Sequence, residues 1–539
     1  MPRGSGFVLG PDAPRVFPDW IRLKAQQNGA KVALEIAGQA RTYSEIDHDS
    51  DRVAAGLDSL GLTAGDHAAI WMKNRMEFVD SWFGMTKAGI VEVPIHHASR
   101  GGLLSYVLNQ TDAQLLVLDA EFLQHLAPVA DQLESLEHVV VATDGGEIPD
   151  VGLPPKIAVH PIEALYVDAP PPTPDLQRRD PVVILHTSGT TGPPKGAVIS
   201  HESALHLTRH IVWLMDYTSD DRLYTGFPLF HNNAKYTSVT AAMECNGSLI
   251  MDERLSVSRF WDTCREHGVT AFNYMGALLM MLMKQEPSPD DLANEVRIAF
   301  GAPCPVEIWE DFERRFGLSL VEVYGMTEAP MACENRLDDR RIGSAGKESM
   351  SYEVKIVDEH DASVPVGETG EIVVRPKRPD TLFTEYHRKP EATVEAFSNL
   401  WFHTGDRGRL DDDGFLFFVD RLKDSIRRRG ENISTWEIES TINLHEAVIE
   451  SAAYGVESEL TEQDVMVSVA PKPGKTIDPA ALIEFCEGKI SRFAIPRYVR
   501  VVDELPKNHA QRVEKFKLRE VGVTADTWDA DLQRGDRRG

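Results

Sequence analysis

Thr187-Ser188-Gly189-Thr190-Thr191-Gly192-Pro193-Pro194-Lys195-Gly196 packs hydroxyls, glycines and one lysine between two apolar runs, PVVILH (181–186) and AVIS (197–200). Glycines let backbone N–H groups converge on an anion without a Cβ in the way, and the hydroxyls and ammonium add donors and charge. The chemistry is that of a phosphate cradle. Composition alone fits a plain hairpin turn as well. The stretch is not a Walker-type loop: Lys195 follows a proline and precedes Gly196, and the next element reads as a strand instead of a helix.

Outward from this loop the chain reads as α/β. Before it, the apolar runs HAAIWM (67–72), IVEVPI (90–95), AQLLVLD (113–119) and HVVVAT (138–143) predict buried parallel strands separated by crossover helices. Ser44 opens a helical stretch through Leu60, with Asp47 three residues on in a capping-box position. The segment 168–181, DAPPPTPDLQRRDP, is Pro-rich and polar and reads as a surface connection. Helix and strand alternation continues towards residue 345. From 351 to 420 the texture changes to short strands, YEVKIVD, GEIVVR and GFLFFVD, around the turns GETG and DDDG, which predicts a small β-subdomain. After Arg421 a shorter α/β pattern follows. It has a helix capped by Ser434-Thr435-Trp436-Glu437, strands near VIESAAYGV, VMVSVAPK and YVRVVD, and a helix over 478–489. A chain of 539 residues exceeds what one core usually serves, and a boundary is placed near residue 421.

Composition narrows the partners. The 84 acidic residues against 56 Lys and Arg leave a net charge of −28, which repels nucleic-acid backbones and anionic lipid. Any anionic substrate must therefore meet a local basic patch. The five cysteines, Cys245, Cys264, Cys304, Cys333 and Cys486, are scattered without a C-x-x-C pair and read as reduced thiols of a cytoplasmic protein. No apolar run long enough to span a membrane and no export signal is evident.

The order of residues in the Gly-rich loop closely resembles the signature loop of the adenylate-forming (ANL) superfamily. Further matches follow in the family's order. Tyr324-Gly325-Met326-Thr327-Glu328 is similar to the motif in which the aromatic ring stacks on adenine, the Thr contacts the α-phosphate region and the Glu holds Mg²⁺. Gly301-Ala302-Pro303 resembles the strand end lining adenine and the acyl group. Trp401-Phe402-His403-Thr404-Gly405-Asp406 resembles the segment whose Asp grips the ribose hydroxyls, and Arg421-Leu422-Lys423-Asp424 the ribose-binding Arg followed by the interdomain hinge. The resemblance implies a large N-terminal domain (1–420) of two α/β sheets plus a β-subdomain. A smaller, mobile α+β C-terminal domain (421–539) follows, hinged at Lys423. The texture of RRRGENIS and FPLFH is most similar to the carnitine/crotonobetaine–CoA ligase branch of the acyl-CoA synthetases.

The chemistry so implied is attack of a carboxylate on the ATP α-phosphate with loss of pyrophosphate, then displacement of AMP by the thiol of CoA. The substrate would be a small or medium carboxylic acid, polar and aromatic ones included. Lys195, the loop amides and Mg²⁺ supply part of the required positive field. In the family a C-terminal lysine within a Gly-Lys pair supplies the decisive cation, but here Gln511-Arg512 stands in its place. Three readings stay open: Arg512 does the lysine's work, Lys507 or Lys515 takes over, or adenylation is altered. Arg421, Lys423, Arg427, Arg428 and Arg429, followed by the turn Gly430-Glu431-Asn432, form the local basic patch expected to serve CoA. A solvated basic face is the plainer reading. By family analogy the acyl pocket draws on 228–235, 273–277 and Gly301, with His231 as the gate residue. Lys235 would either meet a polar or anionic substituent of the acid or point to solvent, and the Met-rich LLMMLMK (278–284) is expected to be helix packing. Rival readings are an adenylating enzyme with another nucleophile or acid, such as a nitrite-dependent diazo-forming or carrier-protein-loading enzyme, and a nucleotide-binding regulatory protein. Oligomeric state is not legible, though a homodimer would be unsurprising.

Overall fold

The computed structural model describes residues 13–97, 99–187, 194–421, 426–428, 431–433, 435–458, 463–487, 489–490, 494–507 and 513–532. Of the expected site, Ser188, Gly189, Thr190, Thr191, Gly192, Lys423, Gly430 and Arg512 lie outside these residues, as does the Ser434 cap.

A seven-stranded sheet runs in the order 158–161, 138–142, 115–119, 67–71, 91–94, 181–187, 195–200. It is parallel except for the last pair, an antiparallel hairpin whose register sets Thr187 opposite Lys195. The runs read as buried strands are those strands, because a sheet covered by helices on both faces needs apolar side chains on both. A nine-stranded sheet has a parallel centre, 319–324, 298–301, 271–274, 222–225, 248–251 and 32–36, with antiparallel strands at each end. The β-subdomain is a five-stranded antiparallel sheet built on 352–357, 370–376 and 401–410, with 397–398 and 416–421 both paired to 401–410. Beyond it the two-stranded ribbon 426–428/431–433 and a four-stranded sheet, 448–457, 463–471, 498–501 and 528–529, surround a separate apolar cluster including Ile438, Val467 and Leu482. The α/β class, the two large sheets and the β-subdomain match the sequence reading.

Two local expectations need correction. The helix expected from Ser44 is Tyr43–Ser59, and its cap is Thr42, whose hydroxyl receives the Glu45 N–H while the Glu45 carboxylate receives the Thr42 N–H. Glu reaches back across one turn, whereas Asp47 is occupied by the ammonium of Lys87 at 2.6 Å. The 278–284 stretch, by contrast, is helix packing as expected: it lies on Gly276–Met283 with Leu278, Leu279 and Leu282 buried and Met283 packed against them, while Met281 is 44% exposed. Lys235 neither reaches solvent nor waits for a substrate: it is fully buried, with its Nζ 2.6 Å from both carboxylate oxygens of the equally buried Glu92. All five cysteines are free thiols and buried.

Candidate active site

Tyr274, Gly301 and Tyr324 are the last residues of three neighbouring parallel strands, and Thr225 ends a fourth. Loops leaving the carboxyl ends of such strands form the usual ligand crevice of an open α/β sheet. Gly301 is required there. A Cβ at this position would lie 2.1 Å from the Tyr274 carbonyl oxygen, so only glycine lets these two strand ends approach. Gly325 is similarly tight, its Cβ position 2.4 Å from the Met331 nitrogen. The result is a backbone-lined edge, with Ala302 half-buried and Pro303 exposed beside it.

Two bridges join this edge to the rest of the chain. The Tyr324 hydroxyl donates to Asp406 Oδ2 at 2.9 Å, although the two are 82 residues apart. Burial and the neighbouring carboxylate hold the phenol protonated, so it serves as the donor. Asp406 lies on Trp401–Leu410 in register with Arg421, and its own N–H is fixed by Thr404 Oγ1 at 3.1 Å. The residues expected to grip the adenine and ribose ends of a nucleotide are therefore contiguous.

The second bridge was not expected. Tyr386 donates its hydroxyl to Glu328 Oε1 at 2.8 Å, and its ring lies beneath the Lys195 ammonium, 4.8 Å from Nζ to centroid. Lys195 stands at the hairpin end of the Gly-rich loop, Thr327 is half-buried, and Glu328 is buried. The residues expected to meet phosphate and Mg²⁺, Lys195 and Glu328, thus share one support, and a buried carboxylate suits the oxygen-ligand chemistry of a hydrated Mg²⁺. No motif marks Tyr386, because the contact depends on the segment 384–387 hydrogen-bonding along the strand Lys195–Ser200.

On the side expected to take the acyl group, the stretch 227–231 is pinned by the buried Asn74. Its amide donates to the Phe227 carbonyl at 3.0 Å, and its Oδ1 receives the Leu229 N–H at 2.9 Å. His231 is exposed, its ring 4.3 Å from Phe230, which is also packed by His96 at 4.4 Å and His97 at 4.7 Å. Burial holds the His97 imidazole down at about 4, and thus neutral. After His231 the helix widens into a π-turn over Lys235–Val239, a form that recurs at functional sites. The widening has a local cause: Thr237 and Ser238 both donate to the Asn233 carbonyl, and the Asn273 amide donates to Asn233 Oδ1. Lys235 anchors the turn through Glu92 and lies 3.5 Å over the Trp82 ring. Burial pulls its ammonium down to about 8, with Glu92 opposing that shift. Glu322, in register with Gly301, is another residue that sequence reasoning missed. Its carboxyl is pushed up to about 8 by burial, so it carries a proton at neutral pH behind the Gly301–Cys304 turn.

In the C-terminal part, Arg428 is paired with Asp464 Oδ1 at 3.0 Å, and Asp464 also holds Arg497. One cation of the basic patch is thereby engaged by a carboxylate, and the side chains of Arg421, Lys423, Arg427 and Arg429 lie outside the described set. Lys507 is paired with Glu450 at 2.8 Å and Lys515 with Glu439 at 2.9 Å.

Comparison with known proteins agrees with this architecture. Residues 21–387 match the family model of the AMP-binding enzymes, and residues 437–512 that of the AMP-binding enzyme C-terminal domain. The chain is 30% identical over 484 residues to the crotonobetaine/carnitine–CoA ligase of Salmonella heidelberg, covering 89% of this chain and 93% of that one. Among solved structures, ATP-bound MatB from Rhodopseudomonas palustris superposes with a TM-score of 0.81 at 26% identity, over 94% of this chain and 98% of that one. The anthranilate–CoA ligase AuaEII, in complex with anthranoyl-AMP, shares the fold with a TM-score of 0.83 at 24% identity, over 95% of this chain and 99% of that one. With more than half of its length matched by the family model, the chain belongs to the AMP-binding enzyme family.

Proposed function

We propose that the chain is an ATP-dependent, AMP-forming acid–CoA ligase. A carboxylate oxygen of the acid attacks the α-phosphorus as the bond to pyrophosphate breaks; the CoA sulfur then attacks the acyl carbon as the bond to AMP breaks. The observation carrying this reading is that Tyr386 links Lys195 to Glu328, and that Tyr324, which ends the strand leading into Glu328 beside the Gly301 strand, holds Asp406. Tyr324 and Asp406 would hold adenine and ribose, with Gly301, Ala302, Pro303, Gly325 and Met326 as backbone walls. Lys195 and Thr327 would meet the phosphates. Glu328 would hold Mg²⁺, which when bound neutralises polyphosphate charge. The work of the protein is to position two anions and offset their repulsion.

The acid is a small or medium one. Two of the similar proteins named above are ligases of such acids, carnitine or crotonobetaine in one and anthranilate in the other. Lys235 is not its counter-ion, being committed to Glu92, whereas the buried Asn232 Oδ1, without a hydrogen-bond partner among the described residues, suits a polar donor. We divide the chain into units 1–420 and 421–539 hinged at Lys423, with His231 as the gate on the acyl side and Arg421, Arg428 and Gly430 on the nucleotide and CoA side.

Isotope exchange between pyrophosphate and ATP over a panel of acids, with and without CoA, tests the reading. Acid-dependent exchange and a CoA thioester product are expected. AMP release without CoA consumption would replace CoA by another nucleophile, and AMP binding without exchange would leave a nucleotide-binding protein. Because Lys507 and Lys515 are held by carboxylates, Arg512 is the cation we assign to the adenylation step. Arg512→Ala is expected to slow acid-dependent pyrophosphate release by at least about tenfold, and an unchanged rate would return the task to a lysine.

A further inference from the structure

We propose that Tyr386 is a positioning residue that couples the phosphate-binding lysine to the metal-binding carboxylate. This inference rests on the reading of Lys195 and Glu328 given above. The argument begins with the backbone. The Thr384 N–H donates to Val198 O at 2.8 Å, Val198 N–H to Glu385 O at 2.9 Å, and His387 N–H to Gly196 O at 2.8 Å, so the segment 384–387 extends the hairpin that carries the Gly-rich loop. Its register is fixed from outside by the Phe383 N–H donating to Glu328 O at 2.9 Å, and by the Tyr386 N–H donating to Thr393 Oγ1 at 2.9 Å. The Gln110 amide also holds the His387 carbonyl, and Gln110 Oε1 meets His186 Nε2 at 3.1 Å, directly before Thr187.

On this base the Tyr386 side chain meets three partners. Its ring packs against Phe383 at 4.8 Å and is buried, with the Lys195 ammonium on its face and its hydroxyl at 2.8 Å from Glu328 Oε1. The phenol O–H is the donor, since an ionised carboxylate offers only acceptors. The hydroxyl occupies one carboxylate oxygen and leaves the other for a cation. The ring faces the ammonium with its negative quadrupole and so holds the lysine without neutralising it. An Asp or Glu in the same place would pair with Lys195 and compete with phosphate, whereas a tyrosine supports both partners and competes with neither. Hydrogen bonds that orient metal-binding carboxylates typically change metal affinity by about 10- to 100-fold when removed.

The test uses the full-length protein and two variants. Tyr386→Phe keeps the ring and deletes only the hydroxyl; Tyr386→Leu deletes both. Mn²⁺ binding in the presence of ATP, followed by the electron paramagnetic resonance of free Mn²⁺, is expected to weaken about tenfold in Tyr386→Phe. The Mg²⁺ concentration giving half-maximal pyrophosphate exchange should rise by the same factor, while ATP binding in EDTA is unchanged. Tyr386→Leu should in addition weaken ATP binding in EDTA about threefold through loss of the ring under Lys195. Unchanged Mn²⁺ affinity and Mg²⁺ dependence in Tyr386→Phe would overturn the proposal, as would an equal loss of ATP binding with and without metal. Wild-type protein that binds no Mn²⁺ with ATP would instead overturn the assignment of Glu328 beneath it.

Discussion

Lys235→Met is expected to destabilise the N-terminal sheets by about 3–5 kcal/mol, because it leaves the Glu92 carboxylate buried and unpaired. Both side chains have no exposed surface, both Glu92 oxygens are within 2.6 Å of the one ammonium, and the pair spans 143 residues. Glu92 belongs to the strand Val91–Pro94 of the seven-stranded sheet, and Lys235 opens the π-turn that follows His231. The pair therefore ties one large sheet to the acyl-side loop. Thermal unfolding should show a large drop in the first transition for Lys235→Met. The double variant with Glu92→Leu should recover most of it, since replacing a whole buried pair by apolar groups is often neutral or stabilising. A single variant as stable as the parent would mean that Glu92 readily accepts a proton in place of its partner.

Glu328→Gln is expected to lower pyrophosphate exchange by about 10²–10³-fold at saturating Mg²⁺, with thermal stability intact. Glutamine keeps the size of the side chain and an oxygen that can accept the Tyr386 hydroxyl, so what it removes is the negative charge. That charge sits in a buried position on the Tyr386 hydroxyl and has no structural ion pair among the described residues. A loss confined to activity separates a metal-binding role from a packing one. A loss below about tenfold would take Glu328 out of the metal site.

The fold was legible where local pattern decides it. Buried strands such as His67–Trp71, Leu115–Asp119 and His138–Ala142 follow from apolar runs, because covered parallel sheets accept nothing else. The β-subdomain was legible from short alternating runs between turn signals. The first helix cap was misread because Thr42–Glu45 and Ser44–Asp47 offer the same spacing, and the choice between them depends on Lys87, which arrives from the next helix.

The site was half legible. The resemblance in residue order put forward Lys195, Gly301, Tyr324, Thr327, Glu328 and Asp406 as the candidate residues, since a phosphate cradle and a ribose grip need particular chemical groups in short motifs. Sequence alone could not settle the fate of Lys235, nor find Glu322 or Tyr386, whose environments come from distant strands. Tyr386 meets Glu328 across 58 residues and lies under Lys195 only because its segment pairs with the hairpin.

Thr187 to Gly196, with the motifs that follow it in order, was thus enough to indicate the α/β class and the class of chemistry. Tertiary structure decided which charged groups are available for that chemistry: Lys235, Lys507 and Lys515 are tied to carboxylates, whereas Lys195 rests on a neutral ring. The physical reason is that residue type sets what a side chain can do, whereas its partner and its burial, both products of long-range packing, set whether that capacity is spent on the fold or left for a ligand.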